Sequence, residues 1–271
     1  MLTFHGYMSP DECWAEAIPA AQNAYKYGPD LGETHNALAV IALLHDRDLE
    51  ATEKEFKLAL EINPNHSQAR AWYGMFYLAF TKDDFEAGIE QFRLAIENDP
   101  LSSYLHSCLA LTLSTGNRFE EAIPSAEYAV KLDWASLIAR YNLAYCYLRY
   151  GQVEKALQEC LIALKISNRH AWVLHLMALI YLKMNQRDEA LNIYQEMKDR
   201  YHDHHLPPSN LAIVAAALGE DEFALELSHV CLDIIDPYFI FIVKSLKDSE
   251  ALRNIAGFDK ILIRLGFDHP K

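Results

Sequence analysis

No run of about eighteen apolar residues occurs in the chain, so no membrane-spanning helix is expected. The first residues, MLTFHGYMSPDEC, lack a basic stretch and a long apolar core, so they do not read as a signal peptide. Cysteine is limited to five residues, an odd number, with no C-x-x-C pair. Four of them fall on apolar stripes, which points to reduced, buried thiols in a cytoplasmic protein. A Cys146–Cys160 bridge is not expected. Positive charge is short, with 24 basic against 38 acidic residues and a net charge of −14. That balance argues against a nucleic-acid backbone or an anionic membrane as the main partner.

Catalytic signatures are missing as well. There is no P-loop, no G-x-G-x-x-G, no G-x-S-x-G and no H-E-x-x-H. The paired carboxylates Asp83-Asp84 and Glu120-Glu121 sit at helix starts, where they complement the helix dipole. His202, His204 and His205 flank Asp203 in one loop. Adjacency does not supply a tetrahedral zinc geometry and no second ligand cluster exists, so this segment reads as a solvated helix exit. No enzyme activity, metal or cofactor is expected.

What is present is a period. Leu109, Leu143, Met177 and Leu211 stand 34 residues apart, as do Ala110, Ala144, Ala178 and Ala212, and again Ala122, Ala156, Ala190 and Ala224. A fixed period of this size marks a repeat array. The unit at 135–168 carries one apolar stripe through Leu143, Ala144 and Tyr147 and a second through Ala156, Leu157, Cys160, Ala163 and Leu164. One helical hairpin cannot bury both, so neighbouring hairpins must cover them. Ala144 and Ala156 let the two helices approach. Gly151 suits the end of the first helix, where positive φ is favoured.

These residues resemble the tetratricopeptide pattern W-x2-L-G-x2-Y…A-x3-F…P. The unit at 65–100 reads Arg70-x2-Tyr73-Gly74-x2-Tyr77…Gly88-x3-Phe92…Pro100. The unit at 135–168 reads Arg140-x2-Leu143-Ala144-x2-Tyr147…Ala156-x3-Cys160…Asn168. No unit carries the opening Trp in register. The fold expected is all-α, a right-handed α-solenoid of helical hairpins with a C-terminal helical cap. Residues 1–29 read as the second helix of a truncated unit, with Ser9-Pro10-Asp11-Glu12 as its start and Pro19 kinking it or shortening its beginning. Six units follow at 30–64, 65–100, 101–134, 135–168, 169–205 and 206–236. Unit two is longer, with the excess expected in the turn around Phe80 to Asp84, and Pro124 is expected near the first turn of its helix. Residues 237–271 break the period and are assigned to capping the last unit, with insertion into the groove as the alternative. Segments 58–80 and 205–258 further resemble the C-terminal repeat region of bacterial multidomain signalling proteins. That likeness implies an interaction or sensory module attached to an effector domain.

In arrays of this family the first helix of each unit lines the concave face and contacts ligand. By that resemblance the groove here would carry Tyr104, Ile138, Tyr141 and Tyr145, then Trp172 and His175, with Arg149 and Lys183 at one edge. Asn36, Val40, Ala71, Met75, Ser107 and Leu111 fall at the corresponding earlier positions. Asn36, Ala71, Ser107 and Tyr141 occupy the places where carboxylate-gripping members of the family carry Lys, Asn and Arg, so that specialised mode is not expected. The leading expectation is a protein or peptide partner, with no nucleic acid and no membrane. A small-molecule sensor enclosed by Tyr141, Tyr145, Trp172 and His175 stays open beside it. So do self-assembly through the truncated N-terminal unit and a plain packing role for the aromatics. Ala144→Trp is expected to unfold its local unit because the helices could no longer approach. Thermal melting followed by circular dichroism tests this, and an unchanged melting temperature would refute the packing scheme.

Overall fold

The computed structural model of the chain describes residues 9–202, 206–245 and 249–267. Among these residues all regular structure is helical. A leading helix, α1 (Pro10–Tyr27), is followed by hairpins α2 (Gly32–Ile41) with α3 (Leu49–Ile62), α4 (Ser67–Trp72) with α5 (Phe85–Asn98), and α6 (Ser103–Thr115) with α7 (Phe119–Leu132). Next come α8 (Leu137–Tyr150) with α9 (Val153–Ile166), α10 (Ala171–Lys183) with α11 (Arg187–His202), and α12 (Pro208–Leu218) with α13 (Asp221–Asp233). The tail adds α14 (Pro237–Ser245), α15 (Glu250–Arg253) and α16 (Asp259–Arg264). Each helix packs on its hairpin partner and on the next unit, which makes an α-solenoid.

Local chemistry sets the helix ends. Ser9 Oγ accepts the Glu12 amide at 3.3 Å while Glu12 takes the Ser9 amide at 3.2 Å, forming a capping box. α1 then runs unbroken through Pro19, which sits on its exposed side, so the lost backbone bond faces solvent. Pro124 lies deeper than the first turn, well inside α7. Gly151 ends α8 in the left-handed region at φ 87°.

The hairpins cross on small residues. Ala110 and Ala122, Ala144 and Ala156, Ala178 and Ala190, and Ala212 and Ala224 are all fully buried. The second unit has glycine on both sides. A Cβ on Gly74 would stand 2.7 Å from the Gly88 carbonyl oxygen, and one on Gly88 would stand 2.6 Å from that of Gly74. The excess residues of this unit do not all lie in the turn as expected from the sequence. Tyr73–Ala79 is π-helical and takes up extra length within the first helix. The first unit does the same at Ala42–Asp46.

A polar staple stands where the family pattern has Trp. Arg70 Nε donates to the Pro64 carbonyl at 2.9 Å, and Arg140 Nε to the Trp134 carbonyl at 2.7 Å. His35 Nε2 meets the Pro29 carbonyl at 2.7 Å, and His106 Nε2 the Pro100 carbonyl at 3.0 Å. Each reaches six residues back to the preceding turn. The same side chains touch the second helix of their unit, through Glu55, Gln91, the Tyr128 ring and Glu159 respectively. These contacts satisfy the turn carbonyl and tie both helices to it.

The tail does more than cap. α15 packs on α12 and α16 on α13, which covers the last unit. α14 follows the alternative reading instead, turning back into the concave channel and reaching the π-helical segment of the first unit. The buried Asp236 starts it, its Oδ1 accepting the Tyr238 amide at 2.9 Å and the Phe239 amide at 3.4 Å. Burial pushes this carboxyl above its usual range, while the two amides pull the other way. The ends of the array also meet. Trp14 Nε1 donates to the Ile235 carbonyl at 3.0 Å, and an Arg47 guanidinium nitrogen to the Arg264 carbonyl at 3.2 Å.

Two outcomes follow from this packing. Gly88→Ala should cost about 1–3 kcal/mol by pushing α4 and α5 apart, read as a lowered denaturation midpoint; a neutral result would deny the close crossing. Asp236→Ala should cost about 1 kcal/mol as a lost cap and speed amide exchange at residues 238–243. Asp236→Asn, which keeps an acceptor, should exchange at close to the wild-type rate; equal exchange in wild type and Asp236→Ala would deny the cap its role in seating α14.

Candidate binding channel

The first helices of successive units present their free side to one concave channel. Val40 and Leu44 come from the first unit, Trp72 and Phe76 from the second, and Tyr104 and Leu111 from the third. Ile138 and Tyr141 continue the wall from α8, and Trp172 from α10. α14 closes the opposite side. Its Phe241 ring stacks on Phe76 at 4.4 Å between centroids and 26° between planes. Its Tyr238 ring stacks on Trp172 at 5.3 Å and 24°. Between wall and tail remains a cavity of about 90 Å³.

Of the side chains expected in the groove, Tyr104, Ile138, Tyr141 and Trp172 come together around this cavity. His175 lies just behind them, fully buried. Asn210 Nδ2 stands 2.9 Å from its Nδ1 and the Tyr141 hydroxyl 3.5 Å from its Nε2. The Tyr141 hydroxyl in turn lies 3.2 Å from that of Tyr238, which links the tail to the chain of polar contacts. Tyr145, Arg149 and Lys183 do not line the cavity. Tyr145 is fully buried and accepts from Arg149 at 3.3 Å. Arg149 also donates to Asn117 at 2.8 Å and lies over the Phe119 ring. Lys183 is the last residue of α10, a place that suits a cation at the negative end of a helix.

Sequence reasoning missed Trp72, Phe76 and Phe80 and the two tail rings. Trp72 was legible: it stands in phase with Cys108 and Asn142, one position beyond the Ala71 that the family pattern selects. Tyr238 and Phe241 had no such signal, because the tail carries no period. Acid–base chemistry finds little footing here. The Cys108 thiol is pushed up to about 12 by burial, so it stays protonated. The Tyr104 hydroxyl is likewise raised well above its usual value by burial. Of the His-rich loop, His202 ends α11 and residues 203–205 lie outside the described residues. All five cysteines are free.

Comparison with known proteins places this architecture. A family model described as "Anaphase-promoting complex, cyclosome, subunit 3" matches residues 115–197. The chain is 29% identical over 111 residues to the peroxisomal targeting signal receptor of Saccharomyces cerevisiae, covering 41% of this chain and 18% of that protein. It is 28% identical over 148 residues to anaphase-promoting complex subunit 3 of Schizosaccharomyces pombe, covering 54% of this chain and 22% of that protein. The chain thus spans about a fifth of the length of these curated relatives. Among solved structures, the type IV pilus biogenesis factor PilW superposes with a TM-score of 0.59 at 16% identity, over 69% of this chain and 86% of that one. With the 34-residue period, the small-residue crossings and the stacked hairpins, the chain is a tetratricopeptide-repeat solenoid.

Proposed function

We propose that the chain is a non-catalytic scaffold that holds a protein segment in its concave channel, working in the cytoplasm as the regulatory arm of a bacterial signalling protein. The observation that carries this reading is the seat of α14: the channel takes a helix and grips it by two aromatic rings, Tyr238 and Phe241. Aromatic anchors set in apolar pockets are how helix-in-groove recognition works. One relative is by name a receptor for a targeting signal and another a subunit of a complex, which supports an interaction role. The signalling placement draws on the resemblance of segments 58–80 and 205–258. The net charge of −14 supports a neutral or basic partner over nucleic acid or an anionic membrane.

A guest in the channel would share its seat with α14. Affinity capture from native lysate should therefore compare the full chain with Tyr238→Ser/Phe241→Ser, which withdraws both rings. The expected partner is enriched by that variant and lost when Tyr141→Ala/Trp172→Ala is added. Partners indifferent to all four residues would move the site off the channel, and no partner with any bait would overturn the scaffold reading.

A further inference from the structure

We propose that His35 and Glu55 form a proton-dependent latch, which holds α1 against the first unit while the imidazole is charged and frees it when rising pH removes the proton. The latch lies outside the channel and does not depend on the protein-segment reading. The buried ring of His35 stands between two oxygens. Nε2 meets the Pro29 carbonyl at 2.7 Å, and Nδ1 meets a Glu55 carboxylate oxygen at 2.6 Å. A carbonyl oxygen only accepts, so Nε2 carries a proton. An ionised carboxylate only accepts as well, so Nδ1 must carry one too. A neutral ring would set its lone pair against the carboxylate, unless Glu55 itself held the proton. An ordinary glutamic acid gives up its proton about two pH units below an ordinary imidazolium, so the extra proton belongs to the ring.

The other units show what this position needs. Arg70 and Arg140 make the same reach to a turn carbonyl and hold Gln91 and Glu159 with a charge that does not titrate. His106 reaches the Pro100 carbonyl, but its ring meets Tyr128 edge-on rather than a carboxylate, so one proton is enough. Of these four, His35 alone needs both. What it holds is α1. The Pro29 carbonyl lies just past the end of that helix, and the Tyr25 ring of α1 comes edge-on to His35 at 6.2 Å between centroids. Towards the other end of α1, Trp14 bonds the Ile235 carbonyl, where the two ends of the array meet. A second imidazole touches α1 there: His45 lies 5.2 Å from the Trp14 ring, and its Nδ1 faces the neighbouring Asp46. With His35 charged, its pair with Glu55 is a charge-assisted bond, stronger than a neutral one. The latch is complete below about pH 6.5, where even an unfolded imidazole keeps its proton. It is lost as pH rises and strips the proton from the folded pair.

The test uses the full chain. Ring-nitrogen NMR shifts of the wild type at about pH 6 should show both His35 nitrogens protonated, a readout that needs no variant. Amide-exchange protection factors over α1 should fall by about tenfold between about pH 6 and about pH 8.5, the equivalent of one charge-assisted hydrogen bond. Those over α8, held by Arg140, should not change. His35→Arg installs the fixed cation of the neighbouring units and leaves His45 in place, so α1 should stay protected at both pH values. Glu55→Gln removes the carboxylate and should flatten the same dependence. A singly protonated His35 ring at about pH 6, protection of α1 that ignores pH in the wild type, or a fall that survives in whichever variant folds would overturn the latch.

Discussion

Two helices can share a narrow hairpin only where neither carries bulk, and this close crossing is the constraint on which the array depends. At Ala144 and Ala156 it is met by methyl groups, and at Gly74 and Gly88 by bare backbone. Once the crossing is close, the stripes on either side of it point outward in fixed directions, and the next hairpin must cover them. The second unit shows how strongly the crossing is held. Its two glycines stand two residues further apart in sequence than Ala144 and Ala156, yet they still oppose each other. The excess is taken up partly by the π-helical segment Tyr73–Ala79, so the helix winding yields and the crossing does not.

Close crossing fixes distance but not register, and polar contacts supply that. Asn142 of one unit donates to Ser107 of the unit before it, and Asn210 stands in the same relation to His175. Both links span 35 residues. Tyr77 and Tyr147 donate to Glu53 and Glu127 on the second helix of the preceding unit, at 2.8 and 2.7 Å. In low dielectric such bonds are costly to leave unmade, so a slip between units breaks several at once. The staple formed by His35, Arg70, His106 and Arg140 does within a unit what these ladders do between units. It replaces the packing of an indole by directed hydrogen bonds to a turn carbonyl.

The hairpins were legible because their cause is local. Spacing of Leu143, Ala144 and Ala156 states a period, and Gly151 states a helix end. The concave wall was legible in part for the same reason, since Tyr104, Tyr141 and Trp172 follow from the phase of the first helices. The staple was hidden because the family pattern calls for Trp, so Arg and His at that position read as a mismatch. Pro19 and Pro124 misled in the other direction, since a proline tolerated on an exposed helix face leaves the same mark as one that ends a helix. The path of α14 was legible only as the second of two readings, with insertion into the groove placed behind capping. An apolar run after Pro237 says that Phe239, Phe241 and Ile242 must be buried, but only the curvature of the whole array decides which surface receives them.

That curvature brings the two ends within reach, as the Trp14 and Arg47 bonds to the Ile235 and Arg264 carbonyls record. α14 is consequently buried on both sides, with Phe241 on the wall and Phe239 against Phe258. Being covalently attached, it occupies the channel at an effective concentration of order millimolar or above. A protein guest of the proposed kind would have to overcome that local competitor, and its apparent affinity would fall by the fraction of time the tail is seated. Under the proposed reading a protein segment would bind the array with the tail withdrawn, and seating of the tail would oppose it.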